Sequence, residues 1–333
     1  MRLIVGVDER FAAHDPGAGH PERRARLDAV IDGLAAAGVD LGRDRLTPRE
    51  ATRTEIERTH NGAYLDALEA LCDAGGGRLD ADTAASARSW EAASYAAGAG
   101  LAAIEAIRRG DADTAFLAVR PPGHHALGAR AMGFCLVNNI AVSAAALVAA
   151  GERVAIVDWD AHHGNGTQDI FWNEPRVLYA STHQWPLYPG TGRLEETGGP
   201  AAEGTNLNLP LPPGATGDVF LAAFDDVVLP AIERFAPDWL LVSAGFDAHA
   251  SDPLTDLGLR ARDFADLTDR AISVAPGGRV VAFLEGGYDL DALRTSVEAT
   301  TRRLRGEAVS LGAPTSGGPG ADVVAAARSR FGV

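Results

Sequence analysis

Short β-branched, apolar runs alternate with longer Ala- and Leu-rich stretches along almost the whole of this 333-residue chain. The runs 2–7, 114–119, 153–159, 176–181, 238–244 and 279–284 read as strands. The stretches 22–37, 53–72, 86–109, 137–150, 217–235, 261–274 and 289–305 read as helices. Strands that alternate with helices pair in parallel, so the pattern predicts a three-layer α/β/α architecture. No linker, long repeat or charge block divides the chain. Residues 1–310 are therefore expected to form a single domain, with 311–333 a Gly/Pro-rich tail ending in a short helix.

Composition narrows the function. With 46% apolar and 23% charged residues, the chain can bury a sizeable core. A net charge of −15 argues against a nucleic-acid partner, because phosphate binding needs a basic surface. It also gives no electrostatic reason to favour an anionic membrane. Two cysteines, Cys72 and Cys135, cannot make a disulfide framework and point to a reducing compartment. The apolar part of Met1–Asp8 is too short for a signal peptide, and the Ala-rich run near 140–150 is about half a membrane span. The expectation is a cytoplasmic protein.

In open parallel sheets, ligands bind beyond the carboxyl ends of the strands. Unusual polar clusters fall there five times: Arg120-Pro-Pro-Gly-His-His125, Asp158-Trp-Asp-Ala-His-His-Gly-Asn165, Ser181-Thr-His183, Gly245-Phe-Asp247 and Glu285-Gly-Gly-Tyr288. Asp160 and His162 stand two apart where a strand ends, so both side chains point the same way. With Asp247 they would supply three protein ligands to a metal and leave a position open for water and substrate. Taken singly, strand-end aspartates are usually turn or cap residues; the set is what singles these out. A neutral histidine of the His124-His125 pair could move the proton, with Asp158 and Asn165 as candidate orienting partners. Tyr288, after two glycines, could donate to a developing oxyanion. Phe134 and Tyr188 could wall a narrow apolar channel, although aromatic residues more often belong to a core.

Together these motifs resemble the histone deacetylase family, in its zinc-dependent class II and bacterial amidohydrolase-like branch. The resemblance runs over roughly residues 14–300. It also takes in Gly19-His-Pro-Glu-Arg23, Gly133-Phe-Cys135 and Tyr188-Pro-Gly-Thr-Gly192. It implies an arginase-like α/β/α fold around a mostly parallel, eight-stranded sheet. It implies one zinc ion on Asp160, His162 and Asp247, with His125 as general base and acid. His124 would assist electrostatically against Asp158, and Tyr288 would stabilise the oxyanion. The resemblance further implies that Gly133 lines the acyl-lysine channel and that Asp82 grips substrate backbone. It also implies a potassium or sodium ion held by Asp158, Asp160, His162, Ser181 and Thr182.

The chain departs from the family pattern at points that bear on substrate. Asn165 is a neutral partner where some members carry Asp, which should leave His125 less basic. Tyr188 stands where many members have Phe. Leu254, after Asp252-Pro253, is an apolar rim residue and tilts away from strict polyamine specificity. The expected reaction is hydrolysis of N-acetylated amines such as acetyl-lysine in proteins, with acetylpolyamines or small acetylated metabolites as the alternative. Two rivals differ more. A binuclear manganese ureohydrolase would use Asp247-Ala-His249 as well, but has Gly164 where a bridging Asp is expected. A non-catalytic acyl-binding scaffold should have lost a ligand or Tyr288. Assembly into oligomers is left open.

Overall fold

The computed structural model describes all 333 residues. Ten strands form: β1 (Leu3–Gly6), β2 (Arg45–Leu46), β3 (Gly76–Arg78), β4 (Ala84–Ser86), β5 (Thr114–Leu117), β6 (Val154–Asp158), β7 (Val177–Gln184), β8 (Asn206–Leu211), β9 (Trp239–Ala244) and β10 (Val280–Leu284). Eight of them make one sheet in the order β2-β1-β5-β10-β9-β6-β7-β8, with every pairing parallel. β3 and β4 form a separate antiparallel ribbon. Strands β5, β6, β7, β9 and β10 are buried along their whole length, as expected of a parallel sheet covered on both faces.

Helices pack against both faces. The longest, Ser89–Arg109, turns a stripe of Ala and Gly inward, which lets backbone approach backbone. At Gly98 a Cβ would run into the Arg49 carbonyl. Helix Asn139–Ala149 is capped by Asn138, whose side chain accepts from the Ala141 N–H. Helix Leu290–Leu304 is capped in the same way by Asp289, which fixes where the chain turns immediately after Tyr288.

The structure departs from the sequence reading in several elements. The stretch 53–72 is two helices, Arg53–Ile56 and Gly62–Asp73, because Thr52 and Asn61 each cap a new start. The stretch 217–235 contains a π-helical segment at Phe224–Val228 just before Pro230. Proline cannot donate to the preceding turn, and a wider turn absorbs the mismatch. The edge strands β2 and β8 were not expected. Beyond residue 310, Thr315 hydrogen-bonds Asp263, and helix Ala321–Phe331 places Val324 and Ala327 in the main core. Arginine supplies all 30 basic side chains, and there is no lysine. No helix is long and apolar enough to cross a membrane.

Candidate active site

The five polar clusters lie at the carboxyl ends of β5, β10, β9, β6 and β7, which are adjacent in the sheet. Asp160 and His162 follow β6, and Asp247 follows β9. Their ligand-capable atoms all lie within 4.8 Å of one another. His162 Nδ1 is 2.8 Å from Asp247 Oδ2 and 3.3 Å from Asp160 Oδ1. Backbone N–H groups orient both carboxylates: Gly286 donates to Asp160 Oδ2 at 2.7 Å, and Ala161 to Asp247 Oδ1 at 2.8 Å. A Cβ at Gly245 or Gly286 would strike these carboxylates, so the two glycines keep the cradle open. One imidazole and two carboxylates, clustered and almost fully removed from solvent, fit a zinc-like divalent ion. Burial opposes a charged His162, but Asp160 and Asp247 outweigh it and lift the imidazole to about 10. Burial and Asp160 push Asp247 up to about 7. His249, the extra ligand of the binuclear reading, lies outside this group; its Nδ1 accepts from the Ser251 N–H.

The histidine pair is buried beside the cluster, with ring centroids 4.0 Å apart. His124 Nδ1 meets Asp158 Oδ2 at 3.0 Å, and His125 Nδ1 meets Asn165 Oδ1 at 2.8 Å. An amide oxygen only accepts, so His125 carries its proton on Nδ1 and keeps Nε2 free as a base. Burial disfavours charge on His124, yet Asp160, Asp158 and Glu285 overcome it and raise the imidazole to about 10. Burial, with the charges of His124 and His162, holds His125 well below the usual imidazole range. One ring is thus kept charged and the other neutral. Asp158 is itself fixed, accepting from Tyr179 Oη at 3.0 Å and from the Asp160 N–H at 3.1 Å.

A pocket of about 210 Å3 opens above these groups, lined by Asp82, His125, Gly133, Phe134, His162, Leu187, Tyr188, Leu254 and Tyr288. It gathers all five residues expected to contact substrate. Phe134 stands edge-on to Tyr288 at 5.8 Å, and Tyr188 edge-on to His125 at 5.3 Å. Tyr188 and Leu254 are each 37% exposed and form the rim. Gly133 and Phe134 both have positive φ, at 55° and 67°, which places the Phe134 ring in the wall at the cost of backbone strain. A Cβ at Gly133 would collide with the His125 ring. Burial raises the Tyr288 phenol well above its usual range, so it stays a proton donor. The Asp82 loop is tied to this wall, because the Phe134 N–H donates to Thr83 Oγ1 and Thr83 Oγ1 donates to Asp82 Oδ1.

Two residues of the expected monovalent-cation set, Ser181 and Thr182, lie on β7. Ser181 is the β7 residue in register with Asp158. Thr182, the next residue on the strand, faces the other side of the sheet, and its buried hydroxyl has no partner. Several supporting residues were not found from sequence. Leu187 lines the pocket. Asp252 Oδ2 accepts the Tyr288 N–H at 2.7 Å, and its Oδ1 accepts the Leu254 N–H at 3.0 Å. Beneath the turn, buried Arg26 donates to the carbonyls of Gly287 (2.6 Å) and Glu285 (2.5 Å), and buried Glu22 pairs with both Arg26 and Arg120. The i and i+4 spacing of Glu22 and Arg26 was the one local signal for this buried pair, and it is masked by Arg23, Arg24 and Asp28 around it.

A family profile for the histone deacetylase domain matches residues 20–304. A probable deacetylase of Archaeoglobus fulgidus is 41% identical over 298 residues, covering 87% of this chain and 82% of that protein. A histone deacetylase-like amidohydrolase of Pseudomonas aeruginosa is 41% identical over 280 residues, covering 81% and 73%. The crystal structure of the HDA15 HD domain superposes with a TM-score of 0.92 at 38% identity, covering 99% of this chain and 94% of that one.

Proposed function

The chain belongs to the histone deacetylase family and is a hydrolase of that family, and from this we propose that it removes acetyl groups from acetyl-lysine side chains with one bound zinc ion. The observation that carries the proposal is the pocket itself. One pocket brings together the imidazoles of His162 and His125 and the phenol of Tyr288, the groups this reading needs as metal ligand, base and oxyanion donor. Asp160, His162 and Asp247 would hold the zinc, which when bound polarises an amide carbonyl and acidifies water.

The chain's own groups supply the rest. Phe134 and Tyr188 hold the apolar stem of the acylated side chain, while Leu254 and Asp82 meet what lies outside. His125, neutral and fixed through Asn165, takes the proton from the attacking water and later gives it to the leaving amine. His124, held charged by Asp158, adds positive potential as negative charge develops. Tyr288 donates to the carbonyl oxygen as it becomes an oxyanion. The apolar rim at Leu254 favours peptide substrates over polycationic ones.

The test is hydrolysis of an acetyl-lysine peptide beside acetylputrescine and acetylspermidine, using protein stripped of metal and then reloaded with zinc. Zinc is expected to restore activity, fastest on the peptide. Tyr288→Phe is expected to lower kcat on the order of tenfold to a thousandfold, the scale of one lost oxyanion donor. An undiminished rate in that variant, or about two tightly bound manganese ions per chain, would refute the proposal.

A further inference from the structure

Glu285 begins the Glu-Gly-Gly-Tyr turn, and so far it has entered only as one of the charges that raise His124. Its side chain is fully buried. Oε2 accepts the backbone N–H groups of Gly123 at 2.7 Å and His124 at 3.2 Å, and Oε1 accepts from the Ser243 hydroxyl at 3.2 Å. Arg26 reaches the residue but donates to its carbonyl, so no guanidinium pairs with the carboxylate. Burial pushes this carboxyl up to about 7. A buried carboxylate with no direct ion pair is costly even with the charged His124 ring nearby, and its position needs a reason beyond filling space.

The geometry supplies one. The loop 120–125 leaves β5 and must present two adjacent histidines in different directions. On one side it is fixed by Asn139 Nδ2, which donates to the Pro121 carbonyl at 3.0 Å. At Gly123 it lies so close to the Asn139 backbone that a Cβ would meet that N–H at 2.5 Å. On the other side, Glu285 receives the two N–H groups immediately before and at His124. Glu285 also reaches Ser243, the β9 residue in register with both Asp158 on β6 and Phe283 on β10. One side chain thus ties the histidine loop to β9, the strand that leads to Asp247 and lies beside Asp158.

We propose that Glu285 is a positioning residue for the histidine pair: by accepting the Gly123 and His124 N–H groups while anchored to Ser243, it sets the depth of the His125 ring against the attacking water. This rests on the hydrolase reading above. It concerns the length and acceptor geometry of the side chain, and that separates it from a role for charge alone. Glutamine keeps the reach, one acceptor oxygen for both N–H groups and a donor for Ser243 Oγ. Aspartate keeps the charge but is one methylene short, and alanine keeps neither.

The experiment compares kcat and KM for an acetyl-lysine peptide in zinc-loaded wild type, Glu285→Gln, Glu285→Asp and Glu285→Ala, with zinc content and thermal midpoint measured for each. The expected order of kcat is wild type, then Gln, then Asp, then Ala. Asp should lose on the order of tenfold to a hundredfold, the penalty of a small misplacement of a reacting group. KM should stay within about twofold, since the channel walls are untouched. If alanine does not fold, the Gln-against-Asp comparison still decides. Aspartate outperforming glutamine, a loss confined to KM, or equal kcat across the set would overturn the inference. A zinc-loaded wild type inactive on every acetylated substrate would overturn the hydrolase reading and this inference with it.

Discussion

At Gly133 a single hydrogen atom separates a working base from a blocked one. The left-handed backbone there aims the missing Cβ at the His125 ring, so Gly133→Ala must displace either the ring or the loop. The expected outcome is a fall in kcat on the order of a hundredfold with zinc content unchanged, checked by steady-state kinetics and metal analysis of the same preparation. A variant with wild-type kcat would mean that the His125 ring is not held where the structure has it. At this scale much was legible in advance. Asp160, His162, Asp247, His124, His125 and Tyr288 are polar residues at strand ends, and local pattern exposes such positions. The supporting roles of Tyr179, Asp252 and the Glu22–Arg26–Arg120 group were not legible, because each depends on at least one partner well separated in the chain. Arg26 and Gly287, for example, are 261 residues apart.

Among the elements, the loop that follows the histidine pair is pinned to its neighbour by another imidazole. Buried His60 donates from Nδ1 to the Leu127 carbonyl at 3.0 Å and accepts the Asn138 N–H at Nε2, 2.9 Å away. Both nitrogens are used in the neutral form, and a second ring proton would face the Asn138 N–H. Burial holds His60, and likewise His14, down at about 4. Their unfolded-state values lie near 6.5, so below that pH the unfolded chain takes up protons that the folded chain refuses. The stability they provide is complete above about 6.5 and is lost as pH falls from about 6.5 to about 4, at up to about 1.4 kcal/mol per pH unit for each group. Metal-free protein should therefore melt at progressively lower temperature across that window, and His60→Gln should shallow the slope. Identical slopes in the two proteins would count against a neutral His60. The elements that the sequence revealed are those with uninterrupted apolar or helical pattern. β8 escaped because its Asn206 and Asn208 point inward to bond Gln168, and β2 because two residues carry no periodicity.

For the whole molecule, what the sequence withheld was strand order. Local pattern implies a parallel sheet but not that β9 and β10, late in the chain, insert between β5 and β6. That insertion makes the five polar strand ends neighbours, and it means the middle of the sheet is filled last. A chain ending at residue 238 would lack two central strands and should show no cooperative melting transition, whereas removal of the short edge strand β2 by loop replacement should leave one. Cooperative melting of the 1–238 fragment would contradict this dependence. The surface holds a different consequence, in the arginines that supply every basic side chain. Guanidinium groups stay protonated and do not react with acyl donors as amines do. The protein therefore carries no ε-amine on which an acetyl mark could be written, by another enzyme or by a reactive metabolite. The chain cannot be its own acetyl-lysine substrate, so in a mixed reaction any acetyl-lysine signal gained or erased belongs to another protein.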